Sequence, residues 1–422
     1  MKAPESSWPT RSLQELCSVT RLAGAEYTMF WEADPQGEII ALRGQNIGQN
    51  RLILEDCERI SRNLSLTLSR SKLCAGDIVF PCVGSIGNAA IILDDDRFHI
   101  NQNIAKVRAH EGVCPEYILC FLLSDLCSRQ VVEFNTSGAQ PSVLVGSLRR
   151  FKVPAPPLPQ QREIARILLT WDSGMGPAGA LVSAAKALKR ALMQQLLTGQ
   201  ARFKGFVKSS QQVNTRYGCF PTDWAAVHIG DVADEISDKN DAGRELPVLS
   251  CTKHRGLVNS LEYFGKRIFS ADTSNYKVVR RGDFAYATNH IEEGSIGYQD
   301  LHDAALISPM YTVFRTRAGV DHSFFFKLVK TELYRHIFEV NTSGSIARRG
   351  GLRWDEFAII KVFLPSVPEQ KRIAAVLGVC DREIELLQKQ LAALKEQKRG
   401  LMQKLLTGEV RVKAEGRMKN EE

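Results

Sequence analysis

The sequence predicts an α+β protein: two tandem mixed blocks joined by two long helices, packed as an antiparallel coiled coil with internal pseudo-twofold symmetry. Three observations predict this. The chain repeats itself at an interval of just over 200 residues, each repeat opens with short β-rich runs, and each closes with a long amphipathic series after a proline-rich stretch.

The repeat comes first because it organises everything else. Leu192-Met-Gln-Gln-Leu-Leu-Thr-Gly199 recurs as Leu401-Met-Gln-Lys-Leu-Leu-Thr-Gly408, and Lys189-Arg190 as Lys398-Arg399, both at an offset of 209. Gln161-Arg162-Glu163-Ile164-Ala165 parallels Gln370-Lys371-Arg372-Ile373-Ala374 at the same offset. Asn135-Thr-Ser-Gly138 returns as Asn341-Thr-Ser-Gly344, Gly76-Asp77 as Gly282-Asp283, and Gly84-Ser-Ile-Gly87 as Gly294-Ser-Ile-Gly297. The order is identical in both halves, so the protein is an internal duplication.

The blocks are read as strands and turns. Ile78-Val79-Phe80, Ala89–Leu93, Val278-Val279 and Tyr311–Phe314 are β-rich, and Gly-Asp, Gly-Gly and Asn-Thr-Ser-Gly punctuate them. The Asn-Thr-Ser-Gly pairs read as turns, and Ser308-Pro309-Met310-Tyr311 as a turn into a strand. Amphipathic stretches at Pro115–Val132 and His322–Val340 read as helices. A curved, mainly antiparallel sheet is expected in each block.

The connecting segments follow Pro154-Ala-Pro-Pro-Leu-Pro159 and Pro365-Ser-Val-Pro368, which fix the chain direction and then permit a helix to start. In the second, Ile384, Leu387, Leu391, Leu394, Lys398, Leu401 and Leu405 alternate by threes and fours, the seam of a coiled coil. Shifting by 209 gives the first helix's seam: Met175, Ala178, Val182, Ala185, Lys189, Leu192 and Leu196. Gly199 and Gly408 are expected as C-terminal caps. Gly and Pro inside a helix cost about 1 and about 3 kcal/mol, so Asp172-Ser-Gly-Met-Gly-Pro-Ala-Gly179 predicts a kink or break before Pro177. The resulting division is 1–156 and 206–364 for the blocks, 157–205 and 365–412 for the helical regions, and 413–422 for a tail.

Charge and composition narrow the function. Hydrophobic residues make up 44% and charged residues 24%, a globular balance, and the net charge is +8. The excess sits in the helical segments: residues 157–205 hold 7 Lys+Arg against 2 Asp+Glu, whereas residues 1–156 hold 16 against 17. A nucleic-acid-binding block must therefore segregate its basic residues onto one face. No membrane-length apolar run or signal peptide is evident, so a cytoplasmic protein is expected. The 10 cysteines form no Cys-x-x-Cys pair and the 8 histidines no His-x-x-x-His pair, so reduced thiols and no metal site are expected. There is no Gly-x-x-x-x-Gly-Lys-Ser/Thr, no Asn/Asp-Pro-Pro-Tyr/Phe and no Pro-Asp dipeptide, which argues against nucleotide hydrolysis, amino-methylation and the usual metal-dependent nuclease chemistry. Asp94-Asp95-Asp96 reads as a solvated turn.

The repeated Gln-x-x-Ile-Ala and Lys-Arg-x-Leu-Met-Gln-x-Leu-Leu-Thr-Gly stretches resemble the two conserved regions of type I restriction–modification specificity subunits. So do Leu249–Gly256, Ser274–Asp283, Leu42–Ile47 and Gly76–Phe80, and the resemblance spans almost the whole chain in the expected order. It implies two target-recognition domains that read a bipartite, asymmetric DNA site, with no catalytic site in this chain. It also implies two methylase subunits docked on the helices and a nuclease/translocase joining them. S-adenosylmethionine, Mg and ATP are then expected only in those partners.

Reading DNA needs forked donors and amides for base edges. The loop candidates in the first block are Arg43, Gln45, Asn46, Ser85, Asn88, Asn101, Gln102 and Asn103. Those in the second are Lys253, His254, Arg255, Thr288, Asn289, His290, Arg348 and Arg349. Asn101 and Asn103 can alternatively brace a loop. Arg190, Gln194, Arg399 and Gln403 flank the seam and are candidates for partner contact. If the helices pack antiparallel they act as a ruler, setting half-sites about one DNA turn apart. Two rival readings stay open: a duplicated scaffold without sequence preference, and an enzyme with unrecognised nuclease activity.

Overall fold

In the computed structural model, which describes residues 8–135, 142–241, 243–343 and 351–412, each proline-rich stretch releases one long helix. These are Leu158–Leu197, of 40 residues, and Val367–Thr407, of 41. The chain divides into two compact units, residues 1–180 with 389–422 and residues 181–388. Each unit therefore owns the start of one long helix and the end of the other.

The seam lies where the periodicity puts it. In the first unit Met175, Ala178, Leu391, Leu394, Lys398 and Leu401 are half-buried and Leu405 is buried. In the second, Val182 and Leu196 are buried, and Ala185, Lys189, Leu192, Ile384 and Leu387 half-buried. Each seam lysine has a carboxylate. In the first unit Lys398 Nζ stands 2.5 Å from Asp172 Oδ1, and in the second Lys189 Nζ stands 2.5 Å from Asp381 Oδ1. Both pairs of positions sum to 570, so the helices run antiparallel with the same register in each unit.

The expected break before Pro177 does not occur: the helix runs through it. Proline removes one i→i−4 hydrogen bond, but flanking contacts hold both sides, the Asp172–Lys398 pair before it and buried Val182 after it. Packing thus overrides propensity. Gly174, Gly176 and Gly179 also have the Gly-x-Gly-x-x-Gly spacing, which cradles a dinucleotide only between a strand and a helix. Here all three lie within the helix. The caps are as expected: Gly199 and Gly408 have φ of +71° and +81°. The amides of Ala201 and Val410 then return to the carbonyls of Gln195 and Lys404.

Among the described residues, each unit splits its longer strands between two main sheets rather than one curved sheet, with two-stranded pairs beside them. In the first, Cys17–Arg21, Ile104–Ala109, Ile78–Pro81 and Ala90–Ile91 form an antiparallel sheet. Glu58–Ile60, Ile39–Leu42 and Phe98–Ile100 form another, with its last pair parallel. The second unit repeats the order. Ala233–Ile236, Tyr311–Thr316, Phe284–Ala287 and Ile296–Tyr298 form one sheet. Gly256–Asn259, Val248–Thr252, Ala304–Ile307 and Lys277–Arg280 form the other, again with one parallel pair. The split in the first unit falls at Asn103, whose φ of +64° turns the chain from one sheet to the other.

The helices expected at Pro115–Val132 and His322–Val340 are each two. Pro115–Leu122 and Asp125–Glu133 part at Ser124, whose Oγ accepts the Cys127 amide at 3.3 Å. His322–Val329 and Glu332–Ser343 part at Thr331, whose Oγ1 donates to Leu328 O at 2.7 Å. Short hydroxyls compete with the backbone for hydrogen bonds, which amphipathicity alone does not reveal. Asn341–Ser343 end the latter helix instead of forming a turn. The corresponding Thr136-Ser137-Gly138 and Gly344 lie outside the described residues.

The repeated polar motifs are fasteners. Gln161 Nε2 donates to Pro156 O at 2.8 Å and its Oε1 accepts the Cys114 amide at 2.9 Å. Gln370 does the same with Pro365 O at 2.9 Å and the Asp321 amide at 2.8 Å. Asp77 and Asp283, fully buried after left-handed Gly76 and Gly282, grip Arg108 and Arg315 on the adjacent strand, each at 2.6 Å.

The seam carries a pH prediction. Burial works against the charge of Asp381, but hydrogen bonds from Lys189 and Lys327 outweigh it and hold its carboxyl below the usual range. A carboxyl depressed on folding stabilises above its unfolded pKa, and that stability is lost as pH falls through the depressed value. Wild-type melting temperature should therefore drop steeply below about pH 4. Asp381→Asn should melt lower at pH 7 and fall less on acidification. Parallel curves for the two proteins would contradict this origin of stability.

Candidate nucleic-acid interface

The two main sheets of each unit send the same set of loops to one place. In the first unit the loop around Gln45 packs on the loop Pro81–Asn88: the Asn50 amide donates to Ala89 O at 2.8 Å, and Gln49 Nε2 donates to Asn88 Oδ1 at 3.0 Å. The Cys82 amide donates to Asn103 O at 2.7 Å, bringing in the loop 101–103. The Val143 amide donates to Cys82 O at 2.9 Å, so residues 142–143 adjoin the same set.

In the second unit the counterparts are the hairpin turn Lys253–Arg255, the stretch Thr288–Gly294 and the turn Ser308–Met310. Lys330 ties two of them together, its Nζ donating to Gly294 O at 2.6 Å and Lys253 O at 3.1 Å. Thr288 Oγ1 lies 3.4 Å from Met310 O, and the Leu352 amide donates to Thr288 O at 2.9 Å. At Gly351 a side chain would sit 2.0 Å from Thr288 O, so only glycine fits there.

The sequence candidates separate into braces and free ends. Asn46 is buried: its Oδ1 accepts the Arg43 amide at 3.0 Å and its Nδ2 donates to Ile53 O at 3.0 Å. Asn101 is also buried, on Glu58 Oε2 at 3.3 Å, and its Oδ1 accepts the Gln102 amide. Asn103 serves through its backbone. These three shape loops, and Arg43 is engaged with Asp56 O at 2.8 Å. Gln45 and Ser85 are exposed, Gln102 and Asn88 half-buried. In the second unit Lys253, His254, Arg255, Asn289 and His290 are exposed and Thr288 half-buried. Arg255 lies over the Tyr263 ring at 5.7 Å. Arg348 and Arg349 lie outside the described residues.

Sequence reasoning missed Gln49 and Lys330. Gln49 stands beside Asn50, whose φ of 50° marks a tight turn, so the Gly48-Gln-Asn50 run was the available signal. Lys330 sits in a helical stretch and had none. Of the flanking set, Arg190, Gln194 and Arg399 are exposed and Gln403 half-buried. Arg399 Nε is 2.7 Å from Asp125 Oδ2, so its charge is already partnered.

Other chemistry is sparse. Burial pushes the thiols of Cys17, Cys120, Cys127 and Cys251 up to about 12, and those of Cys82 and Cys114 up to about 11. Such thiols stay protonated and are poor nucleophiles. His290, Glu292 and Glu293 bring ligand atoms within 4.8 Å of one another, but on one exposed turn where His290 Nδ1 already meets Glu293 Oε1 at 3.3 Å. Among the described residues no helix is long and apolar enough to cross a membrane.

Residues 5–175 match the family model of the type I restriction modification DNA specificity domain. The chain is 24% identical to the type I restriction enzyme MjaX specificity subunit of Methanocaldococcus jannaschii, over 96% of this chain and 94% of that one. It is 28% identical to the MjaVIII specificity subunit of the same organism over 62% and 63%. Among solved structures, the S subunit of a type I system from M. genitalium has a TM-score of 0.54 at 14% identity, covering 96% of this chain and 98% of that one. A chain from a type I R-M system assembly has a TM-score of 0.53 at 17% identity, covering 97% and 100%.

The division between braces and free ends is testable by stability alone. Asn46→Ala removes a buried amide that holds the half-buried Arg43 amide and Ile53 carbonyl, and should cost about 1–3 kcal/mol, read as a lower melting temperature. Gln45→Ala, one residue away and exposed, should leave the melt unchanged. Equal melts for the two variants would overturn the assignment.

Proposed function

We propose, for a chain that belongs to the type I restriction–modification specificity family, that it reads a bipartite, asymmetric DNA site and directs adenine methylation or restriction by its partner subunits. One observation carries this most. Two units of the same strand order gather equivalent loops, and each set presents amide or basic side chains that are exposed or half-buried. Duplicated scaffolds with unlike loop sequences suit two unlike half-sites.

The exposed groups have the right chemistry. Asn and Gln can bond adenine through two hydrogen bonds, and Arg or Lys can bond guanine. Gln45, Gln102 and Asn88 are the candidates in the first unit; Lys253, Arg255 and Asn289 are those in the second. Arg348 and Arg349 belong to the same proposal by sequence. The exposed Arg190 and Gln194, with Arg399 and Gln403, are proposed to meet two methylase subunits, which a nuclease/translocase would then join. In this reading S-adenosylmethionine, Mg and ATP are bound by those partners, the chemistry is theirs, and the complex works in the cytoplasm.

Methylation profiling of the complex reconstituted with its methylase tests the proposal. Asn289→Ala should relax base preference in one half of the site only, and Gln45→Ala in the other. Each lost two-bond contact is worth about 1–3 kcal/mol, or roughly 5- to 150-fold in discrimination. Loss of preference in both halves from either variant would contradict modular reading. Methylation with no preference in wild type would favour a scaffold, and DNA cleavage by the purified chain with magnesium would favour a nuclease.

A further inference from the structure

Beside the loop set of the first unit lies a groove of about 500 Å³ whose lining includes Thr20, Arg21, Arg70, Ser147, Arg149 and Arg150. Four arginines line it, and among the described residues one carboxylate answers them: Glu26, 2.8 Å from Arg70. Arg149 donates Nε and Nη2 to Val19 O at 3.1 and 2.7 Å, which fixes its position without neutralising it. Arg150 is steadied over the Phe134 ring at 5.3 Å. Thr20 Oγ1 is buried and has no hydrogen-bond partner among the described residues.

The fold does not require this cluster. In the second unit the helix Trp354–Ala358 takes the place of Val145–Leu148, and the Ile360 amide returns to Phe357 O as the Phe151 amide returns to Leu148 O. At that offset of 209, Ala358 and Ile359 stand where the first unit has Arg149 and Arg150. Arg149 and Arg150 are therefore an addition to one copy of a shared scaffold. Held guanidinium forks with unneutralised charge are the chemistry that binds phosphate oxygens two at a time.

We infer that this groove binds phosphate groups, and that the phosphates are those of the DNA backbone flanking the half-site read by the first unit. The inference rests on the DNA-binding reading above. The groove's location supports that source over free phosphate. Its rim at Leu144 is two residues from Ser142, which bridges to Val83 in the loop Pro81–Asn88. A strand whose bases meet that loop would run its backbone past the rim.

Salt dependence tests this. Each phosphate contact contributes about 0.9 to the slope of log K against log salt. The full chain with its methylase would be titrated with a cognate and an unrelated duplex over a salt series, as wild type and as Arg21→Ala/Arg150→Ala. The slope should become shallower by about 1–2 on both duplexes, with the preferred bases unchanged. An unchanged slope overturns the inference. A second arm measures the melting temperature in inorganic phosphate. Stabilisation of wild type alone, with an unchanged DNA slope, would mark a free-anion site and also overturn it. The slope is readable on any duplex, so absence of sequence preference would sink the functional reading by itself. Should the double variant melt early, Arg21→Ala alone carries the test, because that side chain is exposed and has no carboxylate partner among the described residues.

Discussion

A lysine in an otherwise apolar seam is the constraint on which the rest of the structure depends. An ammonium half-buried between two helices must find a carboxylate, because an unpaired buried charge is strongly destabilising. Asp172 and Asp381 supply it to Lys398 and Lys189. A slip of one heptad would set Ala165 or Gly179 opposite Lys398, and Ala374 or Gln388 opposite Lys189. None of these is an anion, so one register is selected from several that the leucines and alanines would tolerate. Polar seam residues act in this way in coiled coils, giving up stability for specificity.

From that register the placement of the candidate loops follows by short links. Gln161 and Gln370 fasten the first turn of each long helix to the block ahead of it. Buried helices such as Pro115–Leu122 then support the sheet, and the paired Asp77–Arg108 and Asp283–Arg315 hold strand to strand. The candidate loops are shaped by buried amides such as Asn46 and Asn101, while neighbours such as Gln45 are exposed. The two copies share a strand order, with Lys277–Arg280 added to one sheet of the second, while the outward residues differ. That combination is what the proposed reading of two different half-sites would need.

Much of this was legible in the sequence. Repetition exposed the two-block plan, and the seam positions followed from spacing because helical geometry is periodic. The Gly caps and the Gln, Gly-Asp and Lys motifs stood out because they recur. What stayed hidden was long-range. Nothing adjacent to Asp77 announces Arg108, and nothing adjacent to Lys398 announces Asp172. Pro177 argued for a break that tertiary contacts overrode. Ser124 and Thr331 divided helices that amphipathicity had joined. At the candidate site, residue type could not separate bracing Asn46 from exposed Gln45, since both are amides in one loop. Burial alone distinguishes them.

The central claim is that two duplicated units read two unlike pieces of one DNA site. Selection from random duplexes by the wild-type chain with its methylase measures this most directly. The account predicts enrichment of two different short motifs, always separated by the same number of unread base pairs. A single contiguous motif, two motifs at variable spacing, or no enrichment would contradict it.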